Sequence, residues 1–309
     1  MSQKIKVKQK RWKEIIRKNW ELYLLLLPTL IFFILFHYYP MYGAQIAFRD
    51  FKITKGIWGS DWVGFKHFQR FLNSPYFIEI LLNTLRLSIY SLIVNTPLPI
   101  AFALMLNYCR NRKFAKVLQT VSYAPHFIST VVMVAMLSLF LSTRSGFVNQ
   151  AIKALGGQEF NFMASPEAFP HLYVWSGVWQ NLGWSAIIYI GSLSSISPEL
   201  HEAAIVDGAT IMQRIRYVDI PGIMNTVIML LILNVGNVLS IGFEKVFLMS
   251  NSLNSSTAEV ISTYTYKVGM VQAQYSYSTA VGLFNSIVNF ILLVTVNTIA
   301  RKVSDNSVY

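Results

Sequence analysis

The sequence predicts an all-α, polytopic membrane protein with six transmembrane helices and a short helical connection on the cytosolic side. Of its 309 residues, 54% are hydrophobic and only 13% are charged, whereas soluble domains carry roughly 25% charged residues. Six apolar segments are each about as long as a membrane-spanning helix needs to be. Between the fourth and fifth of them lies a polar stretch, residues 197–222, that carries helix start and stop signals.

The six predicted spans are residues 22–42, 78–106, 117–141, 171–194, 223–243 and 279–300. A cleaved signal peptide is the alternative for the first span, because basic residues precede it. However, Tyr38, Tyr39 and Tyr42 form an aromatic belt at its end rather than a small-residue cleavage site, which favours an uncleaved helix. Pro97, Pro99 and Pro125 lie within spans, and prolines there require a neighbouring protein surface or a water-filled cavity.

Three longer segments connect the spans on the side of the membrane opposite to the termini. We expect residues 43–77, which are polar and aromatic, to form short helices on the outer face. We expect residues 142–170 to form a loop with a turn at Gly156-Gly157, and residues 244–278 to form a polar loop rich in Asn, Ser and Tyr.

The basic residues predict the orientation in the membrane. Of the 26 Lys and Arg residues, 16 lie on the predicted side of the termini, nine lie on the other side and Arg86 lies within a span. The positive-inside rule therefore puts both termini and residues 197–222 in the cytosol. The basic tail, residues 1–20, either lies on anionic lipid or is simply solvated. Because the charge collects at membrane ends, the net charge of +12 does not indicate nucleic-acid binding.

Residues 197–222, called the connecting stretch below, predict two short helices in an L. Ser197 suits a helix N-cap, and Pro198 suits the first helical position. Gly208 suits the positive φ at a helix end. Thr210, three residues before Gln213, predicts a capping box for a second helix, which would run toward Pro221 at the start of the next span.

The connecting stretch resembles the EAA loop of bacterial ABC importer permeases. The resemblance rests on eight positions, Glu202, Ala203, Ala204, Gly208, Val218, Asp219, Ile220 and Pro221. Val218 and Ile220 replace the family's Ile and Leu, and the spacing is intact. The alternative is an ordinary amphipathic cytosolic hairpin.

The resemblance implies the type I ABC importer permease fold, in which this loop docks in a cleft of a separate ATPase subunit. It implies a polar contact for Glu202, a thin helix at Ala203 and Ala204, and the bend at Gly208. The implied ATPase-coupling residues are Glu202, Ala203, Ala204, Asp207, Gly208 and Pro221. The implied partners are a second, homologous permease, two ATPase subunits that bind ATP and Mg, an extracellular sugar-binding protein and membrane lipid.

Other stretches are similar to the carbohydrate-uptake permeases, and in particular to the LplB-like branch that imports polysaccharides and oligosaccharides. They include residues 83–87, residues 123–125 with Ile128, residues 131–132, Pro97, residues 280–285 and residues 297–309. The similarity covers nearly the whole chain and implies import of an oligosaccharide by alternating access.

Sugars are recognised by aromatic faces and by amide or carboxylate hydrogen bonds, and polar groups within spans usually face a cavity or a partner. The candidate substrate-pathway residues are Arg86, Trp179, Gln180, Asn181, Asn234, Asn237, Glu244, Asn285 and Asn289. Hydrogen bonding between helices is the alternative for the polar ones. Arg86 either pairs with an acidic sugar or extends its long side chain to the membrane interface.

No phosphate-binding loop, metal-ligand spacing or nucleophile motif occurs, and the single cysteine, Cys109, is interpreted as a bystander. The sequence thus predicts a non-enzymatic subunit without a cofactor or metal of its own. Three alternatives remain open: a permease of the same architecture for peptides or amino acids, a secondary carrier, and an integral-membrane enzyme. The first would be distinguished by its substrate-binding protein and the second by uptake that persists without an ATPase.

Overall fold

The first long element of the computed structural model, which describes residues 18–236 and 238–303, is the helix Trp20–Phe33. It continues through a π-helical turn, Ile34–Tyr38, a short helix, Tyr39–Met41, and a 3₁₀ helix, Tyr42–Phe48. Every side chain from residue 20 to residue 42 is exposed. This apolar rod therefore buries little of its surface against the rest of the described chain, which leaves most of that surface for lipid or another subunit. Most of the basic tail, residues 1–17, lies outside the described residues.

The all-α prediction is wrong for the segment that follows. Arg49–Lys52 and Ser60–Trp62 pair as an antiparallel hairpin around the short helix Gly56–Gly59, with Arg49 opposite Trp62. The Arg49 guanidinium donates a 2.8 Å hydrogen bond to the Ser60 carbonyl. It also lies over the rings of Trp58 and Trp62. Strands this short show no period-two alternation in the sequence. The helix Lys66–Leu72 follows, as expected for the outer face.

The second predicted span corresponds to a nearly continuous helical rod. The helices Phe77–Asn95 and Pro97–Asn107 are joined at Thr96, whose φ of −87° and ψ of −55° are still helical. Together they form one of the segments long and apolar enough to cross a membrane. The prolines therefore start a second helical stretch rather than interrupt the span.

The third predicted span, residues 117–141, is not one helix. The helix Arg112–Tyr123 and the 3₁₀ turn Ala124–Phe127 meet the helix Thr130–Phe140 at a bend of 100°. Proline has no amide hydrogen, so Pro125 weakens helical hydrogen bonding at the bend. The Ser129 hydroxyl then accepts a bond from the Val132 amide and caps the second helix.

Residues 142–170 contain the helix Phe147–Ala154, which turns back at Gly156. The helix Ala168–Ser194 then has 27 residues and covers the predicted fourth span. A side chain at Gly183 would lie 2.5 Å from the carbonyl oxygen of Ser122, so this glycine lets the helix pack closely on Arg112–Tyr123.

The helix Pro198–Val206 follows, and then a longer helical run. This run consists of Ile211–Arg214, the π-helical turn Ile215–Asp219 and Ile220–Gly236.

The predicted fifth span, residues 223–243, extends past the end of the helix in this region, which ends at Gly236. Side chains of neighbouring helices bind the backbone that follows. The Ser88 hydroxyl donates to the Val238 carbonyl, and Asn289 Oδ1 accepts from the Leu239 amide at 3.0 Å. Non-helical backbone is tolerated at such depth where protein satisfies its polar groups.

The predicted polar loop, residues 244–278, is largely helical. It comprises Phe243–Met249, Ser255–Ala258, Ile261–Tyr266 and the π-helical turn Lys267–Val271, and it leads into the last helix, Tyr275–Val303. Its buried side chains complete two apolar cores with the helix Phe77–Asn95. One core contains Leu87, Met133, Phe169, Val246 and Met249, and the other contains Phe71, Ile80, Ile261, Tyr277 and Val281.

A third core lies at the opposite end of the bundle and contains Ala103, Leu104, Ala186, Tyr189, Leu193 and Ile223. Within the described residues, four helices are long and apolar enough to cross a membrane, or five if the bent pair counts as one span. The structure thus shows a mostly helical membrane bundle.

Asn149 should be important for the stability of the 142–170 loop. Its side chain is buried, and its amide nitrogen donates to the carbonyls of Leu141, Ser142 and Phe160 at 3.0–3.3 Å. Its oxygen accepts from the Phe160 amide at 2.8 Å. Asn149→Ala would leave buried backbone groups unpaired, and we expect it to destabilise the protein by about 3 kcal/mol.

Thermal unfolding of the purified permease in detergent measures this effect. Asn161→Ala is the matched control, because the Asn161 side chain is exposed and makes no hydrogen bond with a described residue. Equal unfolding temperatures for the two variants would contradict the assignment.

Candidate functional site

The connecting stretch lies at the end of the bundle that is farthest from the 142–170 loop. The two are separated by the helix Ala168–Ser194, which at 1.5 Å per residue is about 40 Å long. The first predicted helix is present as Pro198–Val206, with Pro198 at its first turn. The Ser197 side chain, however, makes no capping hydrogen bond.

The bend between the two parts of the stretch has the predicted chemistry. Gly208 has a φ of +77°, which L side chains adopt only with strain. Thr210 and Gln213 form the predicted capping box. The Thr210 amide donates to Gln213 Oε1 at 2.7 Å, and the Gln213 amide donates to the Thr210 hydroxyl at 3.4 Å. Local side chains thus fix the angle at which the chain turns.

The second predicted helix is not a separate short helix. Residues from Ile211 to Gly236 run continuously, so the helix that begins at the bend is also the next membrane helix. Pro221 does not begin that helix but lies within it, directly after the π-helical turn Ile215–Asp219. A π-turn accommodates the hydrogen bond that proline cannot donate. A movement of the bend is therefore transmitted directly to a spanning helix.

Five of the six predicted coupling residues are exposed, namely Glu202, Ala203, Asp207, Gly208 and Pro221, and Ala204 is half-buried. Glu202 makes no ion pair or hydrogen bond with a described residue. Large apolar side chains around them also face outward, namely Leu200, Ile205, Val206, Ile211 and Met212, with 86% of Val206 exposed. An apolar surface rimmed by polar residues is typical of a protein-binding site.

Two adjoining cavities open in the middle of the bundle. One, of about 250 Å³, lies between Phe77–Asn95 and the end of Ile220–Gly236, and the other, of about 380 Å³, lies beside Ala168–Ser194. Asn95 and Asn234 line both cavities. The other polar lining residues are Ser88, Ser91, Thr96, Ser185, Trp184 and Tyr189. This lining of amides, hydroxyls and aromatic rings suits a sugar, and the described residues contribute no charged side chain to it.

Of the predicted pathway residues, the structure places Asn234 in these cavities. Gln180, Asn181 and Asn289 instead hold backbone or side chains of neighbouring elements. Gln180 donates to the Ile128 carbonyl at 2.7 Å, and Asn181 Oδ1 lies 2.9 Å from His126 Nδ1. Asn289 bonds to Leu239 and also donates to the Ser240 hydroxyl at 2.8 Å. The geometry of these three residues matches the alternative, in which they form hydrogen bonds between structural elements.

The remaining candidates are dispersed. Asn285 lines a separate cavity with Phe243, Tyr266 and Ser278. Trp179 and Glu244 are exposed outside the lining of the two central cavities. Asn237 lies outside the described residues.

Arg86 is exposed on the helix Phe77–Asn95, two residues before Ser88. Two residues correspond to about 200° of rotation around a helix, so Arg86 points away from the central cavities.

Sequence reasoning missed Ser88, Ser91, Asn95 and Thr96, which form most of the polar wall of the first cavity. The signal was available, because polar residues at positions 88, 91 and 95 repeat at helical spacing and so share one face. Among the described residues, no cluster of three or more His, Cys, Asp or Glu side chains could hold a metal ion.

Comparisons with known proteins give one consistent result. Residues 95–305 match the family model described as "Binding-protein-dependent transport system inner membrane component". The Polygalacturonan/rhamnogalacturonan transport system permease protein YteP of Bacillus subtilis (strain 168) is 41% identical over 98% of this chain and 95% of its own length. Protein LplB of the same organism is 40% identical over 96% of this chain and 94% of its own.

A solved structure also matches nearly the whole chain. It is described as a bacterial alginate ABC transporter in complex with an alginate pentasaccharide-bound periplasmic protein. One of its chains superposes with a TM-score of 0.89 at 38% identity, covering 96% of this chain and 99% of that one.

Proposed function

The chain belongs to the family of inner membrane components of binding-protein-dependent transport systems, as a non-catalytic permease subunit of an ABC importer for polysaccharides or oligosaccharides, and we propose that its connecting stretch couples it to a separate ATPase. The observation that carries the proposal is the exposed apolar surface on the two sides of the Gly208 bend, at the start of a helix that runs unbroken to Gly236. A rigid-body movement of a partner that grips this surface would tilt the membrane helix.

The number of helical segments and the distribution of basic residues support the predicted topology. The helix Ala168–Ser194 is long enough to span a bilayer, and with the bent pair it brings the helical segments to six. An even number of spans places both termini on one side, where the basic residues accumulate. The connecting stretch then lies in the cytosol, where ATP is available to a partner ATPase.

We place the sugar pathway in the two central cavities around Asn95 and Asn234. Amides and hydroxyls exchange hydrogen bonds with sugar hydroxyls, and a lining without charge allows a sugar to bind weakly enough to leave again. This permease would form half of the pathway. A second, homologous permease would form the other half, two ATPases would bind ATP and Mg, and an extracellular sugar-binding protein would deliver the substrate.

Two relatives suggest the substrate class. YteP is named for polygalacturonan and rhamnogalacturonan, and a second solved structure with a TM-score of 0.89 is described as an importer of the acidic polysaccharide alginate. We therefore propose an oligosaccharide fragment of a polysaccharide of this kind as the cargo, rather than a peptide or an amino acid.

Reconstitution tests this function. The permease is co-purified from its native membrane, its partners are identified by mass spectrometry, and the complex is placed in proteoliposomes with its binding protein. We expect ATP-dependent uptake of labelled oligosaccharides from polygalacturonan or alginate, with maltose and a tripeptide as comparison solutes. Uptake that continues without ATP would favour a secondary carrier, and uptake of the tripeptide alone would contradict the sugar assignment.

A further inference from the structure

A buried carboxylate lies beneath the connecting stretch and takes no part in the surface described above. Asp219 is in the π-helical turn Ile215–Asp219 and has no exposed surface. Among the described residues it is the only acidic side chain that is buried. A buried charge is costly unless partners satisfy it. Its partners come from two other parts of the chain.

The first partner is Tyr108, which directly follows the helix Pro97–Asn107. The Tyr108 hydroxyl donates a 2.6 Å hydrogen bond to Asp219 Oδ2. Burial, followed by the adjacent carboxylate, raises the pKa of Tyr108 to about 12, so the phenol keeps its proton and remains a donor at physiological pH. The Arg214 guanidinium carbon lies 5.4 Å from the centre of the Tyr108 ring.

The second partner is His201, on the helix Pro198–Val206. Its Nε2 lies 3.4 Å from Asp219 Oδ1. That oxygen is buried and has no hydrogen bond among the described residues. The two atoms are already within hydrogen-bond distance, so a change in the orientation of the imidazole N–H would let Nε2–H donate to this oxygen. A movement of the helix Pro198–Val206 would change that orientation.

We propose that Asp219 is a positioning residue that ties the docking helix Pro198–Val206 to two membrane helices at once. Through Tyr108 it holds the end of the rod Phe77–Asn107, which lines the central cavities. Through its own backbone it belongs to the run Ile211–Gly236. A push on the docking helix therefore reaches both walls of the pathway together. This inference rests on the proposed coupling function.

Tyr108→Phe is the sharpest test, because it removes one hydroxyl and keeps the ring. In proteoliposomes with the partner subunits and the binding protein, we expect sugar transported per ATP hydrolysed to fall about tenfold, within the usual range of coupling between sites. Basal ATPase activity and the amount of permease in the membrane should be unchanged. Tyr39→Phe is the matched control, since Tyr39 is exposed and its hydroxyl bonds to no described residue.

Substitutions of Asp219 distinguish a positioning role from a role in stability alone. Asp219→Asn retains an oxygen acceptor for Tyr108 and should keep more coupling than Asp219→Ala. The double variant of Tyr108→Phe and Asp219→Ala should be no worse than Asp219→Ala alone, because both remove the same contact. A normal transport ratio in Tyr108→Phe, or losses that multiply in the double variant, would overturn the proposal.

Gly208→Pro, measured in the same preparation, distinguishes a failure of the role of Asp219 from a failure of the coupling function. If Gly208→Pro abolishes uptake while Tyr108→Phe is normal, only the role of Asp219 is refuted. If Gly208→Pro also transports normally, the coupling function itself is refuted.

Discussion

Gly208→Pro is expected to abolish ATP-driven uptake while the permease still inserts in the membrane. Proline fixes φ near −65°, and Gly208 has a φ of +77°. The Gly208 amide also donates to the Ile205 carbonyl at 3.0 Å, and proline has no amide hydrogen. The bend would therefore reorient, and the exposed surface of Pro198–Val206 would no longer match its partner. Uptake into proteoliposomes and the amount of inserted protein are the measurements.

Gly156 offers a matched control for this change. It has a φ of +81°, its amide likewise bonds to a carbonyl three residues earlier, and it lies in the 142–170 loop at the other end of the bundle. Gly156→Pro should therefore leave most ATP-driven uptake intact. Equal losses in both variants would mean that the loss at Gly208 reflects general damage to folding.

Glu202→Lys is expected to have the same effect through charge rather than shape. Glu202 is exposed and unpaired within the described chain, so its reversal costs little stability but places a cation against the partner's cleft. Uptake should be lost, while the unfolding temperature should stay close to that of the unaltered protein. Unchanged uptake in Glu202→Lys would exclude a direct contact of this carboxylate with the ATPase.

Filling the central cavities should block transport while the binding protein still stimulates ATP hydrolysis. Asn95 and Asn234 line both cavities, and either Asn95→Trp or Asn234→Trp would occupy a large part of their volume. We expect sugar uptake to fall at least about tenfold, while the binding protein still stimulates ATP hydrolysis, because the contact with the ATPase is untouched. The ratio of uptake to hydrolysis measures this effect.

The control for this block lies on the same helix. Ile93 is exposed and lies two residues before Asn95, so it points to the opposite side. Ile93→Trp adds the same bulk away from the cavities and should transport normally. If Ile93→Trp blocks uptake and Asn95→Trp does not, the pathway runs along the other face of this helix, where Arg86 lies.

The local chemistry of the connecting stretch was predictable from sequence because each signal acts within a few residues. A glycine at the bend and a Thr210–Gln213 capping box need no knowledge of the rest of the fold. The continuity of the helix through Pro221 was not predictable in this way. It depends on a π-turn, and a proline in sequence more often marks a helix start or end.

The pathway residues were harder to predict, because an amide within a membrane helix has two possible uses. Gln180 and Asn181 hold the bend before Thr130–Phe140, whereas Asn234 faces a cavity. Composition does not distinguish these uses, since the difference lies in which helix stands opposite. The 100° bend itself needed the capping bond of Ser129 as well as Pro125, and only the structure shows both.

Site-directed cross-linking tests the central claim most directly. Cys109 is the only cysteine in the chain, so Cys109→Ser gives a background without thiols. Val206→Cys then places a thiol at an 86% exposed position of the docking helix, and Leu155→Cys places one at an 88% exposed position in the 142–170 loop. Membranes that contain the assembled transporter are treated with a short bismaleimide, with and without ATP.

We predict that Val206→Cys cross-links to the ATPase subunit and that the yield changes with ATP, whereas Leu155→Cys gives no such product. A product with the ATPase from Leu155→Cys but none from Val206→Cys would contradict both the orientation of the chain and the coupling role of residues 197–222.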